Sequence, residues 1–349
     1  MKKLIVLFLT LSLLLCGCSV EIVLVPEETV SSGETLTVHF IDVGQADCAL
    51  IECGGTFMLI DGGNRDDGQK VISYLQSCGV EELEAVICTH AHEDHAGGLP
   101  AVLAVYPTAA VYAPTKTYAS NVFDDFMYYV DQQRLEVIIP APGDSFKLGE
   151  AEITVLGPAK SYAETNDTSI VAMVEFYNNR FLFTGDMEVA AENDMLDHWD
   201  GKMDWNVDVL KVGHHGSSTS SGYRFVYETD PEYAIVSCEK NNSYGHPHKE
   251  IISRYNDAGI PMLRTDELGT ILAVSDGNEI TITWENQHAA PADVPPAKTA
   301  SLYIGNKNSK TLHTPDCDSL PSEKNRITFN SYKDAIEAGY TPCGGCIGD

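Results

Sequence analysis

The chain has 349 residues, with 22 lysines and arginines against 51 aspartates and glutamates, so its formal net charge at pH 7 is −29. So much negative charge keeps a protein soluble but repels polyanions at long range, which argues against a protein that holds nucleic acid by general electrostatic attraction. The length allows one large domain and a small appended one.

Residues 1–18 have the features of an export signal. Two lysines precede an apolar run from Leu4 to Leu15, and Cys-Gly-Cys18 follows. The run is too short to span a bilayer well, and the segment that ends at Cys18 resembles a bacterial lipobox. A plain secretory signal or a membrane anchor is the alternative. We expect an exported protein, anchored by a lipid on Cys18 to the outer face of the bacterial cytoplasmic membrane, with residues 19–34 as an acidic tether.

Residues 35–285 are predicted to form the large domain. Strand-type segments within 35–61 are followed by a helical stretch near 68–78 and by a strand at 84–88. Helix and strand patterns then alternate as far as Trp284, which predicts an α/β fold.

Three imidazoles and a carboxylate directly follow the strand at 84–88. They are His90, His92, Asp94 and His95. These groups suit Zn²⁺ or Mn²⁺, and their spacing lets the first two face one ion while the last two face another. The exit of a strand is also where open α/β sheets place their ligands. The alternative is a polar loop that is rich in histidine by chance. The sequence therefore predicts a metal site here.

Two later strands end in residues of the same type. The strand at 181–184 runs into Asp186, and the strand at 207–212 runs into His214 and His215. A carboxylate can bridge two cations, and one of the paired histidines can complete the shell of the second ion. A lone Gly-Asp after a strand is an ordinary turn, so the interpretation depends on the order of these motifs.

In this order the motifs resemble the successive signatures of the metallo-β-lactamase superfamily. Within it, the segments that resemble the hydrolase domain of the competence-protein (ComEC) family are Phe40-Ile-Asp-Val-Gly-Gln-Ala-Asp47, Leu59-Ile-Asp-Gly-Gly63, Leu210-Lys-Val-Gly-His-His-Gly-Ser217 and Ser243-Tyr-Gly-His-Pro-His248. The resemblance covers about residues 35–285. It implies a four-layer αβ/βα sandwich with a binuclear metal site at one edge.

The resemblance implies two divalent ions, zinc or manganese, in this site. Carried over position by position, the ligands are His90 and His92 for the first ion, Asp94, His95 and His214 for the second, and Asp186 as a bridge, with His215 as the alternative to His214. Many superfamily members carry one more histidine on the first ion, and between Gln133 and Asp186 this chain has none. The matching place is the segment from Asn166 to Ser169. An ion with fewer ligands of this kind favours manganese.

Two-metal sites hydrolyse phosphodiesters by presenting a metal-activated hydroxide in line with phosphorus. Asp94 and Asp186 would serve catalysis through the ions, and His246 and His248 would donate to a phosphoryl oxygen or protonate the leaving group. Predicted substrate-binding residues are Asn166, Ser217, Ser218 and His246. For the two histidines the alternative is that they are ordinary surface turn residues, because Gly and Pro already explain a turn.

The predicted function is a surface-anchored, metal-dependent nuclease that acts on extracellular DNA. One alternative is a phosphodiesterase for phosphorylcholine or teichoic-acid groups of the cell wall, and another is a DNA-capture lipoprotein with little activity. A β-lactamase is disfavoured by the missing histidine. The partners are then a phosphodiester substrate and, through the lipid, the membrane; we treat the protein as a monomer.

The cysteines fall into groups with different roles. Five lie in or near apolar runs and are predicted to be buried thiols, with disulfides as the alternative: Cys48, Cys53, Cys78, Cys88 and Cys238. After a Pro/Ala-rich linker at 286–300, residues 301–349 contain three more cysteines and a histidine, at positions His313, Cys317, Cys343 and Cys346. Four such ligands suit a structural zinc ion, which a module of this size needs in order to fold. A redox pair or a disulfide is the alternative.

This C-terminal segment resembles the small metal-binding module named for the Ada DNA-repair protein. Its five lysines and arginines and six aspartates and glutamates nearly cancel, so the negative charge lies upstream. If any surface of the chain meets DNA, this module is the less repulsive one.

Overall fold

The computed structural model describes residues 34–286, 303–315, 317–329 and 332–347, all of which belong to the same compact unit. The predicted signal with Cys18, nearly all of the tether and nearly all of the linker lie outside the described residues. In the described part of the chain, no helix has both the length and the apolar character needed to cross a bilayer.

Strands make up three sheets. The strands are β1 (Leu36–Phe40), β2 (Ala49–Cys53), β3 (Thr56–Ile60), β4 (Leu83–Ile87), β5 (Thr108–Tyr112), β6 (Val137–Ile138), β7 (Ser145–Leu148), β8 (Ala151–Gly157), β9 (Val171–Phe176), β10 (Asn179–Phe183), β11 (Val209–Lys211), β12 (Tyr233–Val236), β13 (Met262–Arg264), β14 (Ile271–Ser275), β15 (Ile280–Trp284), β16 (Tyr303–Asn306), β17 (Thr311–His313), β18 (Arg326–Phe329) and β19 (Thr341–Pro342). The predicted strands at 84–88, 181–184 and 207–212 correspond to β4, β10 and β11.

Helices connect the strands and cover the sheets. They are α1 (Gly68–Ser77), α2 (Glu93–Ala96), α3 (Leu99–Val105), α4 (Asn121–Gln132), α5 (Val189–Trp199), α6 (Tyr223–Thr229), α7 (Lys249–Asp257), α8 (Thr265–Leu268) and α9 (Tyr332–Glu337). The helix predicted near 68–78 is α1. Its apolar side chains recur with helical spacing, which places Val71, Ile72 and Leu75 on one buried face.

The two large sheets have related strand orders. The first is β15-β14-β1-β2-β3-β4-β5-β6 and the second is β13-β12-β11-β10-β9-β8-β7. In both, antiparallel strands at one side give way to parallel ones, β3 to β6 in the first sheet and β10 to β13 in the second. Parallel neighbours need crossover helices, and these lie on the outer faces.

The buried apolar side chains form three hydrophobic cores. One core lies between the sheets, where the rings of Phe40 and Phe183 stack with centroids 5.8 Å apart. A second joins the first sheet to α1, α3 and α4, and a third joins the second sheet to α5, α6 and α7. The predicted four-layer αβ/βα sandwich is confirmed. Of the cysteines predicted to be buried, Cys78 is only half-buried.

The C-terminal module packs directly on the second outer layer. Its small sheet has the order β18-β16-β17-β19. The ring of Tyr227 in α6 lies 5.1 Å from that of Tyr303 and 5.3 Å from that of Tyr332, measured between centroids. These tyrosines belong to the same buried cluster as the core under α5 to α7. The module is therefore held against the body of the protein by an aromatic interface.

Candidate metal centre

The ends of β3, β4, β10 and β11 meet at one edge of the sandwich. Because parallel strands all end at the same edge, the residues after them are brought together although they are far apart in sequence. Asp61, Thr89, Asp186 and the turn at Gly213–Gly216 follow these strands directly or within a few residues. All lie at the floor of a pocket of about 770 Å³ or just beneath it.

Close backbone approach holds the motif after β4 in place. A Cβ on Gly98 would lie 2.0 Å from the carbonyl oxygen of Gly62, so only glycine fits there. The amide of Gly62 donates to the carbonyl of His95 at 2.8 Å. His95 is thereby buried against the turn after β3, beside Asp61.

Four predicted ligands form one compact group. Single ligand atoms of Asp94, His95, Asp186 and His215 all lie within 4.8 Å of one another. Nε2 of His95 is 3.1 Å from Oδ1 of Asp186, and Nε2 of His215 is 3.3 Å from Oδ2 of Asp94. The Nε2 atoms of both histidines and Oδ1 of Asp186 are buried without a hydrogen-bond partner. Ligand atoms that converge on one point and have no hydrogen-bond partner fit a divalent ion.

The other oxygen of Asp186 faces the remaining histidines. Its Oδ2 is 3.8 Å from Nε2 of His90 and 3.6 Å from Nε2 of His214, and Nδ1 of His92 is 3.0 Å from Nε2 of His90. Of the two exchangeable histidines, His215 thus lies with the second-ion group and His214 on the first-ion side. His214 occupies the side on which the sequence lacks the additional histidine.

The paired histidines lie in a strained turn. His214 and His215 have φ angles of 49° and 53°, in the left-handed region that residues with a side chain rarely adopt. Two successive residues in this conformation cost roughly 1–3 kcal/mol each. Their ring planes are inclined by 65°, so the two adjacent rings face different oxygens of Asp186.

Charge at the floor is balanced between imidazoles and carboxylates. Burial disfavours the His95 cation, but Asp186 and Asp61 outweigh burial and raise its pKa well above its usual range. Burial opposes the His215 cation too, yet Asp186 and Asp47 raise its pKa to about 10. Burial also disfavours the Asp186 anion, but His95 and His215 hold its pKa well below the usual range. A divalent ion carries the positive charge that these protons supply, so ion binding displaces them.

Two further carboxylates orient the ligand rings from behind. Asp61 accepts from the amide of Thr89 at 2.8 Å, from its hydroxyl at 2.7 Å and from Nδ1 of His95 at 2.8 Å. Nδ1 of His215 donates to the carbonyl of Ser237 at 3.0 Å and also lies 3.2 Å from Asp47. Asp47 in turn lies 2.8 Å from Nζ of Lys211, which is buried. The contacts at Nδ1 fix the rings of His95 and His215 so that the Nε2 atom of each faces Asp186.

Sequence reasoning assigned no role to Asp47, although one signal was available. Lys211 stands in an apolar strand, and a buried lysine requires a buried partner. The position of Asp47, 164 residues earlier in the same chain, could not be predicted from the sequence pattern.

Of the predicted substrate-binding residues, Asn166 and His246 line the pocket and Ser217 and Ser218 do not. His248, which was predicted to act in catalysis, does not line the pocket either. Oδ1 of Asn166 is buried without a hydrogen-bond partner, and its amide donates to Glu188 at 3.1 Å. His248 precedes α7, where its Nδ1 accepts from the amide of Ser218 at 2.9 Å and its Nε2 donates to the carbonyl of Tyr244 at 3.2 Å. Both ring nitrogens are therefore engaged in holding two turns together.

His246 is set as a neutral donor. The amide of Glu239 donates to Oε1 of Gln45 at 3.2 Å, which leaves Nε2 of Gln45 to donate to Nδ1 of His246 at 3.3 Å. The proton of a neutral His246 ring is then on Nε2. Burial, followed by the neighbouring His215 and His214, lowers its pKa to about 4. At neutral pH this ring is uncharged, and its Nε2 hydrogen is available to a ligand in the pocket.

The C-terminal ligands also come together. Ligand atoms of His313, Cys317, Cys343 and Cys346 lie within 4.8 Å of one another. The backbone amide of Gly345 donates to Cys343 and lowers the pKa of its thiol, which favours the thiolate that zinc binds. The Cys₃His set fits a tetrahedral zinc site.

Two family models match the chain. The model of the metallo-beta-lactamase superfamily covers residues 41–239, more than half of the chain. The chain belongs to this superfamily. The model of the metal binding domain of Ada covers residues 288–349, so the C-terminal module is an Ada-like zinc-binding domain.

Among curated relatives, this superfamily member is 32% identical over 261 residues to ComE operon protein 3 of Bacillus subtilis (strain 168), which covers 69% of the chain and 33% of that protein. It is 28% identical over 248 residues to the competence protein ComA of Neisseria gonorrhoeae, 70% of the chain and 33% of that protein. The chain thus spans about a third of the length of these relatives. The metallo-beta-lactamase fold protein YhfI of Bacillus subtilis aligns with a TM-score of 0.47 at 13% identity, over 70% of this chain and all of that one.

Separate ligand sets in this metallo-β-lactamase member predict separable metal losses. Asp186→Asn should release the ions of the pocket, because the carboxylate faces ligands on both sides, and should keep the ion of the Ada-like module. Cys346→Ser should do the reverse. Elemental analysis of the purified variants measures both losses, with Asp66→Asn, an exposed carboxylate nearby, as the control. Full metal content in Asp186→Asn would contradict the bridging position.

The buried Asp47–Lys211 pair predicts a non-additive effect on stability. Lys211→Met alone should lower the free energy of unfolding by about 3–5 kcal/mol, because it leaves Asp47 buried beside fewer cations. Asp47→Asn combined with Lys211→Met should recover much of that loss, and urea unfolding of the single and double variants measures it. Losses that simply add would show that the two side chains do not stabilise each other.

Proposed function

We propose that this chain is a metal-dependent phosphodiesterase whose substrate is extracellular DNA. The observation that carries the proposal is the division of ligands around Asp186, with a different set of histidines facing each of its oxygens. Two-metal sites with a shared carboxylate support several hydrolyses, and phosphodiester hydrolysis is one of them.

The positions of these residues divide them into two ligand sets, one for each ion. His90, His92 and His214 would hold the first, Asp94, His95 and His215 the second, and Asp186 would contact both. Bound divalent ions supply Lewis acidity, which activates water and neutralises charge on the phosphoryl oxygens. Asp61 orients His95, and Asp47 with the carbonyl of Ser237 orients His215, so the ligands need little rearrangement when ions bind.

His246 supplies the chain's own contact to the reacting group. Gln45 occupies its Nδ1, so the ring of this pocket-lining residue carries its hydrogen on Nε2, and a preset neutral donor favours a phosphoryl oxygen as it gains charge. Because its pKa is about 4, the ring acts as a hydrogen-bond donor rather than as a proton donor at neutral pH.

The choice of DNA follows from the relatives. One of them is named as a competence protein, and competence is the uptake of DNA. A second candidate, a phosphodiesterase for choline-bearing polymers of the cell wall, is favoured by the acidic side chains of Asp67, Glu93 and Glu239 around the pocket. A cationic headgroup is attracted to such a rim.

Hydrolysis assays separate the two candidates. With Mn²⁺, Mg²⁺ or Zn²⁺, the protein should hydrolyse bis-p-nitrophenyl phosphate and single-stranded DNA, and should act poorly on p-nitrophenylphosphorylcholine. His246→Ala should lower kcat by about 10²–10³-fold with unchanged metal content, because it removes a donor to the reacting group. His198→Ala, an exposed histidine on α5, is the matched control. Faster turnover of the choline ester than of DNA would favour the second candidate.

We also propose that the protein is exported and lipid-anchored through Cys18, on the basis of the sequence of residues 1–18. An anchored hydrolase would meet DNA at the cell surface.

Replacing Cys18 with serine should move the protein from the membrane fraction to the medium, or leave it unprocessed, because the acyl chains provide the anchor. Fractionation and the mass of the mature protein report this, with Cys16→Ser as the control. Unchanged fractionation and mass would exclude Cys18 as the lipidated residue.

A further inference from the structure

Tyr244 presents an exposed ring at the pocket that contains the metal ligands. The side chain is 66% exposed, and Tyr244 is the one tyrosine among the described residues that line this pocket. The proposed mechanism does not use it. The ring lies close to His246, however, with centroids 5.5 Å apart and planes inclined by 22°.

The backbone that carries Tyr244 is fixed on both sides. Oδ1 of Asn242 accepts from the amides of Tyr244 at 3.1 Å and His246 at 3.0 Å. The carbonyl of Tyr244 accepts from His248, whose other ring nitrogen is bound to the loop at Ser218. A backbone held in this way fixes the point from which the ring projects, so a ligand that stacks on the ring has little backbone to order.

The rings lead from the mouth of the pocket to its floor. His246 stands between Tyr244 and the ligand His215, and its plane is inclined by 20° to that of His215, with centroids 6.3 Å apart. A flat group on Tyr244 would therefore lie one ring beyond the group that contacts the phosphoryl oxygen. This is the relation of a nucleobase to the phosphate of its own nucleotide.

Charge around the pocket limits how a nucleic acid can bind. Among the described pocket-lining residues, Lys70 is the one lysine or arginine, and it lies 3.8 Å from the carboxylate of Asp42. Asp67, Glu93 and Glu239 line the same pocket. A row of phosphates along this rim is disfavoured, so attraction to the backbone cannot supply most of the affinity. Base stacking, which is neutral, can supply it.

Resting on the proposed function, we propose that Tyr244 is a stacking platform for a nucleobase next to the scissile phosphodiester, and that the substrate is single-stranded nucleic acid. A base paired within a duplex is not available to stack on a side chain. A pocket of about 770 Å³ has the size of a small-ligand site, which a nucleotide or two can enter and a double helix cannot. A choline group is the weaker occupant, because quaternary ammonium recognition uses a cage of aromatic rings, and this pocket offers one phenolic ring.

The test uses the full chain loaded with Mn²⁺ and two strands of equal length, one of thymidines and one in which abasic sugars replace them. Tyr244→Ala should lower kcat/KM on the thymidine strand by about tenfold to a hundredfold, the range typical of a lost stacking contact. Tyr244→Phe and Tyr244→Trp should retain activity, because the ring and not the hydroxyl is needed. Activity on the abasic strand should be low and the same in wild type and Tyr244→Ala. Tyr128→Ala, which removes a ring of 56% exposure on α4, is the matched control.

Several results would overturn the proposal, and they differ from a failure of the proposed function. Equal wild-type turnover of both strands, or equal losses in Tyr244→Ala on both, would remove the stacking role and leave the phosphodiesterase standing. A loss in Tyr244→Phe as large as in Tyr244→Ala would assign the effect to the hydroxyl. A Tyr244→Ala loss confined to p-nitrophenylphosphorylcholine would assign the ring to choline. A wild type that cleaves neither strand would refute the nuclease itself.

Discussion

A buried carboxylate shared by histidines from two segments of the chain is the contact on which this site depends. Asp186 is 2% exposed, and imidazoles from the motif after β4 and from the turn after β11 approach its two oxygens at 3.1–3.8 Å. A charge this deeply buried is costly unless cations surround it. The need for positive charge at this point explains both the raised pKa values of His95 and His215 and the affinity expected for divalent ions.

The fold supports that carboxylate with a second set of buried charges. Lys211 and Asp47 lie behind His215, and Asp61 lies behind His95. Such pairs contribute little net stability when compared with apolar packing, but removing one member is expensive. Their benefit here is orientation, since Asp61 holds the ring of His95 in one direction and Asp47, with the carbonyl of Ser237, holds that of His215. The strained backbone at His214 and His215 has the same consequence, because it points adjacent side chains to different oxygens.

The molecule has three parts that differ in charge and packing. They are the cluster of metal ligands at the floor of the pocket, the acidic side chains around the pocket, and the C-terminal module packed on the second outer layer. The rim argues against a surface that attracts polyanions, which is why a neutral donor at His246 and an aromatic platform at Tyr244 are the contacts we assign to substrate. The Ada-like module shares a tyrosine-rich core with the body of the protein. Its zinc ligands and the pocket ligands belong to separate groups, so metal loss at one is not expected to empty the other.

The sequence by itself determined the α/β class, the strand that ends before His90, the ligand types and the Cys₃His set, because these depend on local periodicity and on short spacings. Prediction from sequence did not decide which of His214 and His215 faces which oxygen of Asp186, since neighbours with equal chemistry differ only in backbone angles. Nor did it reveal that His248 holds two turns together, that Asp47 neutralises Lys211, or that Tyr244 stands beside His246. Those relations were decided by the tertiary structure, because they join residues whose distance is set by how strands and turns pack.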